Sequence, residues 1–241
     1  MKNFINNIIE SQKFTPTLLG IFLNPFWFAR INLFNNIKIY GKRLTGNILD
    51  IGCGTKPYKK YLKGNYKGLE IDNENKNEKN TDSEILFFDG KIFPLKNDSI
   101  DSVLCTQVLE HVEDPRLFFS EIKRILKKDG LILLTVPFVW AEHDVPNDFN
   151  RFTIYGIKKL LVENQLEVIE QKKTGNNLSI IGQLINSYCY DILPNKIKYN
   201  IITHIFLYGF FNLLFYLLSK IFPLNDNLYL DNIILAKFKN N

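Results

Sequence analysis

A glycine-containing turn with an acid before it and another after it carries the strongest chemical signal in this sequence. A short apolar stretch contains Asp50 and leads directly into Gly52, Cys53 and Gly54. Glycine has no side chain, so a turn of this kind lets the backbone approach a ligand closely. Eighteen residues after Gly52, a second apolar stretch reaches Glu70. An acid about 20 residues past such a turn commonly binds ribose hydroxyls. The spacing therefore predicts a site for an adenosine-containing cofactor.

The residues that follow the turn help to decide between classes of cofactor. They are expected to begin a helix whose N–H groups face the ligand. A dinucleotide site needs a third glycine for close approach to the pyrophosphate, and here Pro57 occupies that position. Asp72 lies two residues after Glu70 and is a weaker candidate for the ribose hydroxyls. The sequence therefore disfavours a nicotinamide dinucleotide enzyme.

The Asp-x-Gly-x-Gly form of the turn resembles the first motif of class I S-adenosylmethionine-dependent methyltransferases of the type 11-like family. Further segments resemble the same family, in order, over roughly residues 45–173. They are Phe87-Phe88-Asp89-Gly90, Val108-Leu109-Glu110-His111-Val112 and the stretch 122–137. The second string is typical of the branch that includes ubiquinone-type methyltransferases. The resemblance implies a Rossmann-like, doubly wound seven-stranded sheet with an antiparallel last strand, and S-adenosyl-L-methionine as the cofactor.

The resemblance also implies roles for residues at the strand ends. The predicted cofactor site consists of Asp50, Gly52, Cys53, Gly54, Glu70, Asp72, Asp89, Gly90 and Gln107. Glu70 would accept hydrogen bonds from the ribose, Asp89 from the adenine amino group, and Gln107 would contact the methionine part. Asp50 is expected below the glycine turn, where it would accept backbone N–H groups or reach the cofactor's amino group through water.

A loop after the fifth predicted strand, residues 137–153, concentrates groups that could bind or deprotonate a substrate. In open α/β sheets this edge binds substrates. Its Pro-x-Asp-Phe-x-Arg-Phe-Thr string resembles one in methyltransferases encoded with polysaccharide and cell-envelope genes. His143 is the first candidate for a catalytic base, and Asp148 and His111 are the next. A structural pair between Asp148 and Arg151, and a packing or capping role for His111, remain open.

Strands and helices alternate along most of the chain, which is typical of a parallel sheet covered on both faces. Strands are predicted near 47–51, 66–71, 84–88, 100–105, 130–136, 166–172 and 228–237. An amphipathic helix is predicted over 115–128, with Gly130 just after its end. An earlier helix is predicted to start with Asn24 as its N-cap and Pro25 as its first residue. The asparagine-rich segment 73–83 is predicted to be a loop.

Two helical regions lie outside this alternation. They are an N-terminal cap, residues 1–44, and an insertion at about 176–226 within a methyltransferase domain spanning 45–241. In the insertion, polar residues recur at every fourth position and form one stripe. They are His204, Tyr208, Asn212, Tyr216 and Lys220. The run 205–218 is shorter than the ~20 residues that cross a bilayer. We expect a helix that packs against the cap on the substrate side; the alternative is contact with a membrane surface through 201–222 or with an apolar substrate.

Composition excludes several other classes. The chain has 241 residues, of which 46% are apolar, enough for the core of a large α/β domain. A net charge of +5 is too modest to predict nucleic-acid binding. Cys53, Cys105 and Cys189 show no zinc-ligand spacing with the three histidines, so neither a metal site nor a disulfide is expected. Residues 1–10 are too polar for a secretory signal, which predicts a cytoplasmic protein, or one peripheral at the inner face of the membrane.

The residues and the resemblance together predict an S-adenosylmethionine-dependent methyltransferase. Its acceptor is expected to be a small molecule, a glycan or a lipid-like compound, with a hydroxyl as the favoured acceptor group. A hydroxyl acceptor needs a base, and histidine suits that role near neutral pH. A non-catalytic cofactor-binding or membrane-associated subunit is the alternative.

Overall fold

The computed structural model describes residues 11–72, 82–175 and 177–239, which form two compact units. The helical unit contains residues 11–36, 139–141, 173–175 and 177–231. The sheet unit contains residues 37–72, 82–138, 142–172 and 232–239. The chain therefore contributes several separate segments to each unit. The domain boundaries predicted from the sequence, 1–44 and 45–241, divide the chain differently and stay a prediction.

The strands of the described residues form one seven-stranded sheet. In chain order they are Asn47–Ile51 (β1), Asn65–Ile71 (β2), Ile85–Phe88 (β3), Ile100–Thr106 (β4), Leu126–Pro137 (β5), Leu166–Thr174 (β6) and Asp231–Phe238 (β7). Their order in the sheet is β3-β2-β1-β4-β5-β7-β6. The pairs among β1 to β5 are parallel.

The last two strands of the sheet run in opposite directions. The N–H of Leu230 bonds to the carbonyl of Thr174, and the N–H of Lys239 bonds to the carbonyl of Gln165. As one strand advances the other therefore recedes, which is the antiparallel arrangement. The predicted Rossmann-like sheet with an antiparallel last strand is confirmed.

Helices flank this sheet and build the other unit. Within the described residues, 11–14 are helical. The helices given labels are Gly20–Leu23 (α1), Trp27–Tyr40 (α2), Pro115–Ile125 (α3), Ile154–Glu163 (α4), Ser179–Ile192 (α5), Asn195–Lys198 (α6) and the continuous helix Ile201–Leu218 (α7). A π-helical turn, His204–Tyr208, lies inside α7. Short 3-10 helices occur at Gly41–Arg43, Lys59–Tyr61 and Leu109–His111.

The core of the sheet unit lies along its central strands. Leu49 of β1, Val103 of β4 and Leu133 of β5 are completely buried. Parallel strands covered on both faces carry runs of apolar residues, as β5 does over residues 131–134. Ile122 of α3 and Ile157 of α4 belong to the main apolar cluster together with residues of the central strands. The helices therefore hold the sheet from its faces and leave the ends of the strands to the loops.

Helix α3 begins where the sequence predicts and ends earlier. The Asp114 side chain accepts the N–H groups of Arg116 and Leu117, as an N-cap residue does. The helix stops at Ile125 rather than at residue 128, because Leu126 already pairs with Ile100 of β4. The predicted termination by a glycine cap is therefore wrong.

The residues predicted as that cap have other roles. Asp129 adopts the left-handed conformation, with φ 62°. Gly130 instead permits close packing, since a Cβ there would lie 2.6 Å from Cγ of Leu126 and 3.0 Å from the carbonyl oxygen of Asp101. The glycine therefore serves the entry into β5 and not the end of α3.

Two further local predictions are corrected. Residues 52–64, all of them described, form turns and the 3-10 helix Lys59–Tyr61, and no α-helix follows the glycine turn. Helix α2 begins at Trp27, two residues later than predicted. Asn24 nevertheless makes the bond expected of an N-cap, because its carboxamide oxygen accepts the N–H of Phe26 at 2.8 Å. Most of the predicted loop 73–83 lies outside the described residues.

Candidate functional site

The carboxyl ends of the parallel strands bring the predicted cofactor residues to one edge of the sheet. Gly52 follows β1, Glu70 lies near the end of β2, Asp89 follows β3 and Gln107 follows β4. Strand β1 has β2 on one side and β4 on the other, so the chain order reverses at β1. Open α/β sheets bind ligands at such a switch point. The topology therefore places the glycine turn at the position expected of a cofactor site.

The two glycines of this turn have different reasons to be glycine. Both adopt positive φ, 67° at Gly52 and 50° at Gly54. A Cβ at Gly52 would lie 2.3 Å from Cγ2 of Val108, so packing against the segment after β4 requires its absence. A Cβ at Gly54 would meet nothing within 4 Å. Gly54 therefore borders open space in which a ligand can approach the backbone.

Glu70 points at this turn. Its carboxylate accepts a hydrogen bond from the backbone N–H of Gly54. Asp72, the weaker candidate, is exposed, and its backbone N–H bonds to the carbonyl of Phe88 at 2.8 Å. Of the two acids, the structure thus ties the Glu70 side chain to the glycine turn, where a ribose acceptor belongs.

Asp50 differs from its predicted role. It is buried beneath the turn, and its carboxylate accepts the hydroxyl of Tyr66 at 2.7 Å instead of backbone N–H groups. Burial raises the pKa of Asp50 to about 7; the Tyr66 hydrogen bond opposes this shift and nearby Glu70 adds to it. A carboxyl group with such a pKa is partly protonated near neutral pH, so Asp50 is a poor fixed anion for the cofactor's amino group.

This pKa predicts a pH dependence of stability that Asp50→Asn should remove. Between pH 4 and pH 7 the folded protein keeps a proton that the unfolded chain has released, so the free energy of unfolding falls as pH rises. Raising the pKa from 3.8 to about 7 corresponds to a loss of roughly 4 kcal/mol. Urea denaturation at pH 4, 5.5 and 7 measures this slope. The Asp72→Asn control should keep the slope; an equal slope in wild type and Asp50→Asn would contradict the prediction.

The remaining predicted cofactor residues lie in defined turns. Asp89 accepts the N–H groups of Lys91 and Ile92, and these bonds lower its pKa. Gly90 has φ 84°, and a Cβ there would meet nothing within 4 Å. Gln107 also has positive φ, and its side-chain amide donates to Oγ1 of Thr135 at 3.1 Å. These turns present an ionised carboxylate and an amide at the sheet edge.

Cys53 has a structural role in the turn. Burial raises the pKa of its thiol to about 12, so it stays protonated and unreactive. A Cβ at Gly68 would lie 2.4 Å from the Cys53 sulfur, which shows how closely β2 passes the turn.

A second group of polar residues contains two of the predicted catalytic residues, His111 and His143. The Nε2 atoms of His111, after β4, and His143, after β5, lie 3.2 Å apart. Nδ1 of His111 donates to the carbonyl of Asn147 at 2.7 Å, which leaves its Nε2 as an acceptor. The carbonyl of Glu110 accepts the N–H groups of Phe149 and Asn150, at 2.9 and 3.2 Å. The loop after β5 is thus hydrogen-bonded to the segment after β4.

Asp148 orients His143 and does not itself suit the role of base. Its nearly buried carboxylate forms a two-fold ion pair with Arg151, at 2.5 and 2.6 Å. This pairing lowers the pKa of Asp148 to about 2. The Asp148 carboxylate also accepts the backbone N–H of His143 at 3.0 Å, and it lies 3.3 Å from Nδ1 of the His143 ring. The same Nδ1 lies 3.4 Å from Nη2 of Arg151. Asp148 is therefore a fixed anion beside the imidazole.

The same place offers a set of metal-ligand atoms that sequence spacing did not indicate. One ligand atom each of Glu110, His111 and His143 lie within 4.8 Å of one another. Two imidazoles and a carboxylate form a known donor set for divalent transition metals. Glu110 and His111 are adjacent in the sequence, but His143 joins them only through the fold. Tyr66, the partner of Asp50, was missed for the same reason.

Comparison with known proteins gives three findings. The family model for the methyltransferase domain matches residues 49–134. A search of curated protein sequences finds no match to this chain. The cyclase SpnF has a similar structure, with a TM-score of 0.54, 14% identity and coverage of 89% of this chain and 84% of that one. Phosphoethanolamine N-methyltransferase 2 of Haemonchus contortus, in complex with S-adenosyl-L-methionine, has a TM-score of 0.52, 18% identity and coverage of 97% and 60%. At these identities the structural likeness shows the fold alone.

Proposed function

Because this chain carries a class I S-adenosylmethionine-dependent methyltransferase domain, we propose that it methylates a hydroxyl group of a small-molecule, glycan or lipid-like acceptor. The observation that carries the hydroxyl assignment is the pair of histidines, with Asp148 beside one of them, at the same sheet edge as the glycine turn. When bound, S-adenosylmethionine supplies an electrophilic methyl group. The protein must hold it, align the acceptor and remove a proton.

The glycine turn and its acid fit the cofactor. The Glu70 carboxylate, fixed by the N–H of Gly54, can accept the two ribose hydroxyls. The open space at Gly54 leaves room for the cofactor to approach the backbone. Asp89 can accept the adenine amino group, since its carboxylate is held ionised by two backbone N–H groups. The turn lacks the third glycine of a pyrophosphate site, in agreement with a cofactor that has no phosphate.

His143 is the proposed base. When its Nδ1 carries the proton and donates towards Asp148, Nε2 carries a lone pair that can accept a proton from a hydroxyl. The imidazolium that forms is stabilised by the Asp148 anion. His111 Nε2, 3.2 Å away, can share this proton. Histidine is suited to such a transfer near neutral pH.

A screen for S-adenosylhomocysteine release tests the proposal. The acceptors form matched sets, in which a sugar, an aromatic ring or a prenyl chain carries either a hydroxyl, an amine or a thiol. Comparison within a set shows the effect of the acceptor group, and comparison between sets shows the effect of the framework. We expect release with hydroxyl acceptors. Release with amines alone would overturn the hydroxyl assignment. Tight cofactor binding without release across all frameworks would favour the alternative, a non-catalytic cofactor-binding subunit.

The metal-ligand atoms of Glu110, His111 and His143 favour a second candidate role for this place. A divalent cation held there would bind the acceptor hydroxyl and make His143 a ligand rather than a base. Turnover that a chelator abolishes and zinc or manganese restores would assign this role. Turnover that is equal with and without chelator supports His143 as the base.

A further inference from the structure

Helix α7 turns its polar side toward the protein. Tyr208 and Asn212 are completely buried. The Asn212 side-chain amide donates to the carbonyls of Ile21 and Asn24, at 2.9 and 3.0 Å, and its oxygen accepts from Asn186 at 2.9 Å. The stripe predicted from the sequence therefore exists, and it makes the contact with the N-terminal segment. The helix thus packs against the N-terminal segment as expected, and Phe215 and Tyr216 add contacts to the apolar cluster that contains Ile21 and Trp27.

The opposite side of α7 and the residues just after it are apolar and exposed. We call this side the apolar face. It consists of Ile202, Phe206, Phe210, Leu213, Leu217 and Ile221. Phe206 is 74% exposed and Ile221 is 77% exposed, and only 17% of the window Ile201–Leu218 is buried. A surface helix of a water-soluble protein shows the reverse arrangement, with its apolar stripe inward. An exposed apolar surface of this kind marks an interaction site.

The charges around the apolar face lie at the two ends of the helix. Ile201–Leu218 contains no Asp, Glu, Lys or Arg, so no charge interrupts the face. Lys196 and Lys198 precede the helix, and Lys220 follows it. The Lys220 ammonium lies over the Tyr216 ring at 4.8 Å, and the Lys198 ammonium lies over the rings of neighbouring tyrosines. Lysine and tyrosine at the ends of an apolar surface match the headgroup region of a bilayer, where lysine attracts anionic lipids.

We propose that 201–222 lies in the plane of an anionic phospholipid bilayer, with the apolar face at the boundary between headgroups and acyl chains. By length and composition Ile201–Leu218 could also cross a membrane. Crossing would separate Asn212 and Tyr208 from the partners that bury them, and polar groups without partners are costly in hydrocarbon. A helix that lies in the interface keeps those bonds and covers only its apolar face. The proposal is independent of the methyl acceptor.

Vesicle flotation of the full chain tests this proposal. The probes are large unilamellar vesicles of phosphatidylcholine alone and of phosphatidylcholine with phosphatidylglycerol. We expect the wild type to float with the anionic vesicles. The triple variant Phe206→Gln, Phe210→Gln, Ile221→Gln should partition at least about 100-fold less, because each substitution removes a large apolar side chain from the contact. Lys196→Gln with Lys220→Gln should reduce the preference for anionic vesicles.

A matched control uses exposed apolar residues of the sheet unit. The variant Tyr155→Gln, Val162→Gln, Ile169→Gln removes three exposed side chains there and should float like the wild type. Wild-type protein that stays unbound with both vesicle types would overturn the proposal. So would equal flotation of the two triple variants, or a dimer that only the α7 triple variant dissociates, which would make a second copy the partner. Resistance of vesicle-bound protein to carbonate washing would show a spanning helix and overturn the interfacial position.

Discussion

Replacing His143 with alanine is expected to lower turnover by about 10²–10⁴-fold and to leave cofactor affinity nearly unchanged. The residue lies in the loop after β5, beside an ionised carboxylate, with its Nε2 directed at His111. Its loss removes the proposed base for the acceptor's proton, while the glycine turn and Glu70 stay in place. The deficit should shrink at high pH, where an acidic acceptor hydroxyl ionises without help. Steady-state rates from pH 6 to 9 and calorimetric cofactor titrations measure both effects.

Asp144→Asn is the control for this loop. Asp144 lies next to His143, adopts φ 51°, which asparagine tolerates, and is exposed. The Asp144→Asn variant should retain wild-type turnover. If His143→Ala loses cofactor binding and turnover equally, His143 holds the loop in shape and is not the base. Unchanged turnover would remove His143 from the mechanism and leave His111 as the next residue to test.

Replacing Glu70 with alanine is expected to weaken cofactor binding by roughly 1.5–3 kcal/mol, or about 10-fold to 150-fold. If Glu70 is the ribose acceptor, the substitution leaves two ribose hydroxyls without a charged acceptor. It also removes the partner of the Gly54 N–H, so Glu70→Gln is the informative companion. Glutamine can still accept that N–H, and a remaining loss in this variant measures the charge at the ribose.

Asp72→Ala is the control for Glu70, because Asp72 is the exposed acid on the same side of the strand end. Calorimetry should show a smaller loss than for Glu70→Ala. The reverse order would move the ribose acceptor to Asp72 and would contradict the assignment made from the Gly54 contact.

The sheet could be predicted because it follows from local patterns. Each of β1, β4 and β5 contains buried apolar residues, and Gly52, Glu70 and Asp89 stand at or near strand ends, where the topology must bring them together. The end of α3 could not be predicted, because the pairing of Leu126 with Ile100 decides it. A long-range contact overrides the local signal of Gly130 in this case.

Side-chain partners of the site also depend on the fold. The sequence supplied His111 and His143 as separate candidates, but their 3.2 Å approach depends on a loop fastened to Glu110. The stripe on α7 was visible from its spacing. The sequence did not show whether this stripe faces the protein or the solvent, because an apolar helix with one polar side can bury either side. The bonds of Asn212 to Ile21 and Asn24 decide it.

The binding of S-adenosylmethionine to the whole chain tests the central claim most directly. Thermal denaturation is measured with S-adenosylmethionine, with S-adenosylhomocysteine and with NAD, each at increasing concentration. A ligand that binds only the folded state at 100 times its Kd adds about 2.7 kcal/mol of stability. We predict a concentration-dependent rise in Tm with both methionine compounds. A larger rise with NAD, and none with either methionine compound, would contradict the account.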